Sequence, residues 1–248
     1  MQRYFIANKN IINDEIVMDA QQWHHITKVM RCRVDDQLYC IDQNGRIYLS
    51  EIEDITIPKV RIKEEIKKNY ELGVDVILLY GMPKNDKFEM VLQKSTELGV
   101  KEIVPLSLQH CQIKNIESIV NKKQDRYQKI LQEASEQSYR NKVPVLHPLK
   151  TIKEIALMEA DIKIIAYEEA AKQGEVSNLK RQLSKMKPGM KINIMVGPEG
   201  GFSKKEVDYL KELGYQSCGL GKRILRSETA PLYLLSVIGY YDELLFNE

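Results

Sequence analysis

Little in this chain of 248 residues invites a crosslinked, membrane-bound or metal-centred reading. Its four cysteines, Cys32, Cys40, Cys111 and Cys218, lie far apart with no C-x-x-C pair. That excludes a disulfide framework and leaves free thiols in a reducing, cytoplasmic compartment as the expectation. The longest apolar stretch, residues 230 to 241, is too short to span a bilayer. The first residues, MQRYFIANKN, lack the apolar core of a secretory signal, so no membrane partner is expected. A surplus of one sign of charge is missing too: 37 Lys and Arg face 35 Asp and Glu, which argues neither for nor against nucleic acid. None of the four histidines has metal-ligand spacing. His24 and His25 are neighbours facing different ways on a helix, His110-Cys111 is equally unsuited, and His147 beside Pro148 reads as a packed loop residue. No metal is expected. The loop Gly81-Met82-Pro83-Lys84-Asn85-Asp86-Lys87 follows the first long apolar strand. It is neither G-x-G-x-x-G nor a P-loop, which disfavours a dinucleotide site or an NTPase, and no G-x-S-x-G elbow occurs.

What is present is an ordinary globular composition, 43% hydrophobic and 29% charged, enough for a sizeable core. Two regimes follow one another. From Arg3 to about Ile66 the segments are short and rich in β-branched and aromatic residues, with Asn44-Gly45 predicting a hairpin tip. One amphipathic stretch, residues 20 to 32, reads as a helix, and residues 63 to 72 read as a link or a last strand. From Gly73 apolar strands (GVDVILLYG, EIVPLSLQH, KVPVLHPL, DIKIIAYEE, KINIMVG, SCGLG) alternate with helices. Those helices are predicted within 85 to 100, where Gly99 stops the first, and at 117 to 139, 203 to 213 and from Thr229 onward. Strands apolar throughout, alternating with helices, predict a parallel α/β sheet; their order cannot be read.

Two loops carry the chemical interest. Met195-Val196-Gly197-Pro198-Glu199-Gly200-Gly201-Phe202-Ser203 leaves a strand and enters a helix that Ser203 caps, with Glu206 completing a capping box. Its glycines let backbone approach a ligand closely, at the strand ends where open α/β sheets bind ligands. The second loop, Gly219 to Pro231, gathers Arg223, Arg226, Glu228 and Thr229 beside two glycines, with Thr229 as the predicted N-cap and Pro231 in the first turn. A tight turn and a polar helix start would explain each loop alone. Together they suggest one shared ligand crevice.

GPEGGFS followed by LGKRILRSETAP resembles the SPOUT superfamily, and specifically its 16S ribosomal RNA uracil-N3 methyltransferases. The likeness extends over nearly the whole chain, through RYF, HHITKVMR, Met82-Pro83-Lys84, QKSTELGV and EQSYRNKVPVL. Met30 stands where the family usually has Leu, a volume-conserving exchange, and the lysine-rich segment before KINIMVG reads as a solvated helix. The resemblance implies an α/β fold: a trefoil-knotted methyltransferase domain at 73–248, with a small PUA-like RNA-binding β-barrel at 1–70. Pattern alone would not suggest a knot, since true knots are nearly absent among folds.

It implies S-adenosylmethionine as cofactor, without metal. The positions that match the cofactor site are Tyr167, Val196, Gly197, Pro198, Glu199, Gly200 and Gly201, then Leu220, Gly221, Arg223, Ile224, Leu225 and Arg226. It further implies a homodimer through the last helix, whose apolar run Leu232 to Ile238 fits. The implied substrate is 16S ribosomal RNA of the small ribosomal subunit. Uracil N3 lies on the pairing edge, so the base must be unpaired or flipped out. Arg226 is the candidate to stabilise developing negative charge, and Glu199 or Glu228 to take the proton. Candidate RNA contacts are Arg3, His25, Lys28, Arg31 and Arg33 in the N-terminal part, and Lys84, Lys94 and Arg140 near the catalytic sheet. The alternatives are a SPOUT methyltransferase acting on another RNA, such as a transfer RNA ribose, or an RNA-binding assembly factor without catalysis.

Overall fold

The computed structural model describes residues 2–84, 87–113, 115–169 and 177–245. The chain divides into two compact units, Met1–Glu71 with Ser135–Lys142, and Leu72–Ala134 with Val143–Glu248. A short piece of the second half therefore belongs to the first unit, which a single cut between 70 and 73 does not represent.

The first unit is built on one sheet. It contains β1 (Arg3–Phe5), β2 (Ile11–Ile12), β3 (Glu15–Val17), β4 (Gln37–Ile41), β5 (Ile47–Glu51) and β6 (Lys59–Ile66), in the order β1-β4-β5-β6-β3-β2. Only β1 and β4 pair in parallel. Tyr4, Ile16, Ile26, Leu38, Ile52 and Val60 form its core, each worth about 1.5–3 kcal/mol on full burial. The β4–β5 hairpin closes through the wider loop Asp42 to Arg46 rather than through Asn44-Gly45 alone. The buried Asp42 carboxylate accepts from the N–H groups of Asn44 and Arg46 and from Arg46 Nε, while Gly45 sits at φ +86. The helix expected over 20 to 32 is shorter. α1 (Ala20–His24) starts at an Asp19–Gln22 capping box and passes into a π-helical turn, His25–Val29. Three β-branched residues, Ile26, Thr27 and Val29, fall in that widened turn and disfavour a regular continuation. Of the segment 63 to 72, Lys63 to Ile66 finish β6.

The second unit carries the parallel sheet. Its strands are β7 (Asp75–Gly81), β8 (Glu102–Ser107), β9 (Val145–Leu146), β10 (Lys150–Thr151), β11 (Ile162–Ala166), β12 (Lys191–Val196) and β13 (Gln216–Cys218). Their order is β10-β8-β7-β12-β11-β13, with β9 also on β8, and every pairing is parallel. Side chains alternate across a strand, and β7 shows the result. Val76, Leu78 and Tyr80 enter one core cluster, while Ile77 and Leu79 enter the other.

The helices are α2 (Lys87–Glu97), α3 (Ile116–Lys122), α4 (Gln124–Gln137), α5 (Asn178–Leu183), α6 (Lys204–Glu212) and α7 (Thr229–Gly239). The expected start of α2 at Asn85 and Asp86 lies outside the described residues. Gly99, at φ +88, follows its end. The single helix expected over 117 to 139 is two helices that part at Lys123. The strand expected over 142 to 149 shrinks to Val145–Leu146. α7 continues as a π-helical segment, Tyr240–Leu245. No helix among the described residues is long and apolar enough to cross a membrane.

Candidate active site

Parallel strands send all their carboxyl ends to one edge of the sheet, so the loops after β7, β11, β12 and β13 gather there. The loop after β12 turns at once, with the Gly201 N–H donating to Pro198 O (2.9 Å) and Gly201 at φ +65. It is packed so closely that a Cβ on Gly81, at the end of β7, would lie 2.5 Å from Pro198 Cδ. A Cβ on Gly200 would lie 2.8 Å from His110 Cβ. Only glycine lets these backbones approach so far. The expected capping box at α6 is present: the Glu206 N–H donates to Ser203 Oγ, and Glu206 accepts from the Ser203 N–H at 2.8 Å. Glu206 also accepts from the Gln109 N–H, which ties the turn after β8 to the same corner.

One ammonium joins the two glycine-bearing loops. Lys87 Nζ lies 3.0 Å from Glu199 Oε1 and 3.2 Å from Glu228 Oε2. Glu199 accepts as well from the Lys84 N–H, and Glu228 accepts from Ser227 Oγ at 3.1 Å. Burial alone would raise both carboxyls. Hydrogen bonds from each residue's own backbone N–H and from Lys87 outweigh it, and hold both below their ordinary value. Lys87 is raised in turn by Glu199 and then by Glu228. Beside this cluster the Tyr80 side chain is fully buried, and burial pushes its phenol far above the ordinary value.

The structure thus brings Glu199 and Glu228 together, 29 residues apart in sequence, through a lysine that sequence reading passed over. Lys87 had a signal. It opens α2, where the helix dipole disfavours a cation, and such a misplacement calls for compensating carboxylates. Thr229 is not the N-cap of α7. Glu228 holds that position with no side-chain cap bond, because its carboxylate turns to Lys87 and Ser227 instead.

Arg226 is exposed. Its carbonyl accepts from the N–H groups of Thr229 and Ala230, and its guanidinium makes no ion pair among the described residues. Arg223 and Ile224 are exposed, whereas Leu220 and Leu225 lie partly buried against the core. Among the described residues, the backbone N–H groups of Leu220 to Leu225 donate no hydrogen bond. Tyr167, after β11, donates its N–H to Cys218 O at 3.1 Å. It therefore sits between the two loops. The edge is suited to a ligand gripped by main-chain groups and flanked by a carboxylate–ammonium cluster.

Two of the candidate RNA contacts are not surface groups. Arg3 and Arg140 are each 3% exposed. Arg3 donates to Tyr139 O, and Arg140 pairs with Glu71, so neither presents its guanidinium to a phosphate. Lys28, Arg31, Arg33 and Lys84 are exposed. His25 Nδ1 pairs with the Tyr4 hydroxyl at 2.9 Å, and Lys94 with Glu97. His147 is held in its loop by Glu102 at 2.7 Å. All four cysteines are free, and burial pushes the Cys40 thiol up to about 12. No group of three or more His, Cys, Asp or Glu among the described residues could hold a metal ion.

A depression of about 490 Å³ near the amino ends of β11 and β13 is lined by Asp161, Lys163, Arg181 and Lys185. Its cations are already engaged, Lys163 with Leu213 O, Arg181 with Asn178 and Lys185 with Gln182. It lies at the wrong end of the strands to be the site built above.

Comparison with known proteins gives the family. A family described as the RNA methyltransferase domain matches residues 61–239, and one described as the RNA methyltransferase PUA domain matches residues 19–65. Ribosomal RNA small subunit methyltransferase E of Bacillus subtilis is 39% identical, over 99% of this chain and 98% of that protein. Among solved structures, a ribosomal RNA small subunit methyltransferase E from Neisseria gonorrhoeae bound to S-adenosyl methionine is 27% identical with a TM-score of 0.81. It covers 96% of this chain and 97% of its own. A Legionella pneumophila methyltransferase in complex with the same cofactor is 26% identical with a TM-score of 0.82, covering 96% of each chain. On the match over residues 61–239 and the close B. subtilis relative, the chain belongs to the RNA methyltransferase family whose catalytic α/β domain is preceded by a PUA-like domain.

Proposed function

We propose that this chain transfers the methyl group of S-adenosylmethionine to N3 of a uridine in 16S ribosomal RNA of the small subunit. The observation that carries this reading is the shared ammonium of Lys87, which ties the Gly197–Gly201 loop to the Gly219–Glu228 loop. The relatives named as small-subunit ribosomal RNA methyltransferases support it.

The residues present fit the donor. Backbone N–H groups at Leu220 to Leu225, free among the described residues, with apolar Leu220 and Leu225 beside them, suit an adenine and its ribose. Gly197 to Gly201, with Val196 and Tyr167 beside them, offer close main-chain approach. When bound, the donor supplies an electrophilic sulfonium methyl, so positioning contributes much of the rate. The Arg226 guanidinium, free of protein carboxylates among the described residues, stabilises charge on the uracil carbonyls as the N3 proton leaves. Glu199 and Glu228 are ionised at neutral pH, and one of them accepts that proton.

In this reading 73–248, apart from the piece 135–142 that belongs to the first unit, is a knotted methyltransferase domain and 1–70 a PUA-like RNA-binding domain, and the enzyme works in the cytoplasm. Exposed Lys28, Arg31 and Arg33 of the first unit contact phosphates. The exposed apolar residues Tyr233, Tyr240, Leu244 and Leu245 along and beyond α7 form a homodimer face.

Nucleoside mass spectrometry of small-subunit RNA incubated with the enzyme and donor tests the assignment. The expected product is 3-methyluridine. A 2′-O-methyl mark would overturn the N3 assignment, and no mark on any RNA would overturn the enzymatic reading. Full turnover by Arg226→Ala at saturating donor and RNA would remove Arg226 from its role.

A further inference from the structure

Two large aromatic side chains of the first unit are exposed but firmly held. Tyr70 is 43% and Tyr139 42% exposed, and their rings meet edge to face with centroids 6.2 Å apart. The residues that follow them are stapled together by buried polar groups. Glu71 accepts from the Arg140 guanidinium and from the N–H groups of Asn141 and Lys142. The Asn141 side chain, in turn, accepts from the Tyr70 N–H and donates to Lys68 O and Gly45 O. Arg140 and Asn141 are only 3% and 5% exposed. Tyr139 is held at φ +64, a backbone state that a bulky L-residue seldom adopts and that persists only where its surroundings over-determine it.

Behind the two rings lies a cation with no carboxylate. Arg3 is 3% exposed, and its Cζ sits 4.8 Å from the Tyr139 ring centroid, 5.2 Å from that of Tyr70 and 5.7 Å from that of Tyr39. Its Nη1 donates to Tyr139 O, while Nε and Nη2 have no hydrogen-bond partner among the described residues. A buried guanidinium is costly, and here the aromatic faces compensate it. Exposed Lys67, Lys68 and Lys142 flank the pair in sequence, and the one carboxylate among residues 67–71 and 139–142, Glu71, is taken up by the staple. Three cations beside two exposed rings suit a polyanion that carries bases, and they repel a second copy of the same face.

We propose that Tyr70 and Tyr139 form a rigid stacking platform for an unpaired base of bound RNA, with Lys67, Lys68 and Lys142 contacting the adjoining phosphates. The platform is built wholly from the first unit and rests on the RNA reading above. Aromatic side chains hold single strands in this way because every base has a π-face.

The test uses the full-length protein and two single-stranded RNAs of mixed sequence, one intact and one with its bases removed, with binding followed by fluorescence anisotropy. Tyr70→Leu/Tyr139→Leu should bind intact RNA about ten-fold more weakly or worse. It should bind the abasic strand as the wild type does, with an unchanged salt slope because no phosphate contact is lost. Tyr70→Phe/Tyr139→Phe should keep the affinity. Thermal unfolding checks the fold, and Tyr70→Leu alone gives the same discrimination should the double variant melt early. A Leu variant that binds intact RNA as tightly as the wild type, in a protein that still methylates RNA, overturns the platform alone. A wild type that binds neither strand overturns the platform and the RNA reading together.

Discussion

Both units contain a small network of opposite charges, and the two networks differ in burial and in saturation. In the first, the planar guanidinium of Arg140 meets Glu71 through two of its nitrogens, and two backbone N–H groups occupy the same carboxylate. Its cation is 3% exposed. In the second, a single ammonium is divided between two carboxylates, with side chains 33%, 27% and 12% exposed for Lys87, Glu199 and Glu228. A forked cation with every lone pair answered fixes geometry. A point charge shared by two half-open carboxylates keeps capacity for something else. The first arrangement serves architecture, the second a ligand.

Substitutions can break or sharpen that contrast. Arg140→Ala should have the largest effect, about 3–5 kcal/mol of lost stability, because it strands a partly buried carboxylate. Urea denaturation measures it, and a loss below about 1 kcal/mol would erase the distinction between the networks. Gly81→Ala should come next. Its Cβ would fall 2.5 Å from Pro198 Cδ and 2.7 Å from Pro198 N, so the β12 loop must move at a cost of about 1–3 kcal/mol. Calorimetric titration with the donor should then show weaker binding, and unchanged binding would mean that the loop's placement is not what grips it. Lys87→Met should change stability least at neutral pH, by less than about 1 kcal/mol, yet lower methyl transfer at least about ten-fold. A variant with full activity would reduce the cluster to a surface ion pair.

The pH dependence of that last comparison has a defined sign. Glu199 and Glu228 are lower when folded than their ordinary value of 4.5. Their contribution is complete above that value and is lost as pH falls through the folded values. Lys87 is higher when folded than its ordinary 10.5. Its contribution is complete below that value and is lost as pH rises through the folded one. The melting temperature of the wild type minus that of Lys87→Met should therefore plateau between the two and shrink at both ends. A difference that keeps growing toward acid would contradict the assignment of the shifts.

The features that were readable from sequence were those set by local periodicity and backbone chemistry. The apolar strands from Val76 to Tyr80 and from Ile192 to Val196, the Ser203–Glu206 capping box and the stop after α2 all follow from residues close in the chain. The strand order was not readable, because β12 enters between β7 and β11 through contacts that leave no local trace. Basic residues were readable as charges but not as surface: Arg3 and Lys28 are both simply cations in a sequence, and only packing separates a guanidinium caged by three tyrosines from an ammonium in water. The site was legible as two glycine-bearing loops. Lys87 was not, since its meaning depends on carboxylates 112 and 141 residues further along the chain, at Glu199 and Glu228.

The first unit borrows Ser135–Lys142 from far along the chain, and this has a consequence for synthesis. When residue 71 leaves the ribosome, the arginine and asparagine that answer Glu71 have not yet been translated. At roughly 5–20 residues per second they follow after about 4–14 s. During that interval the nascent N-terminal sheet carries an unanswered carboxylate, and a fragment ending at residue 71 would carry it permanently.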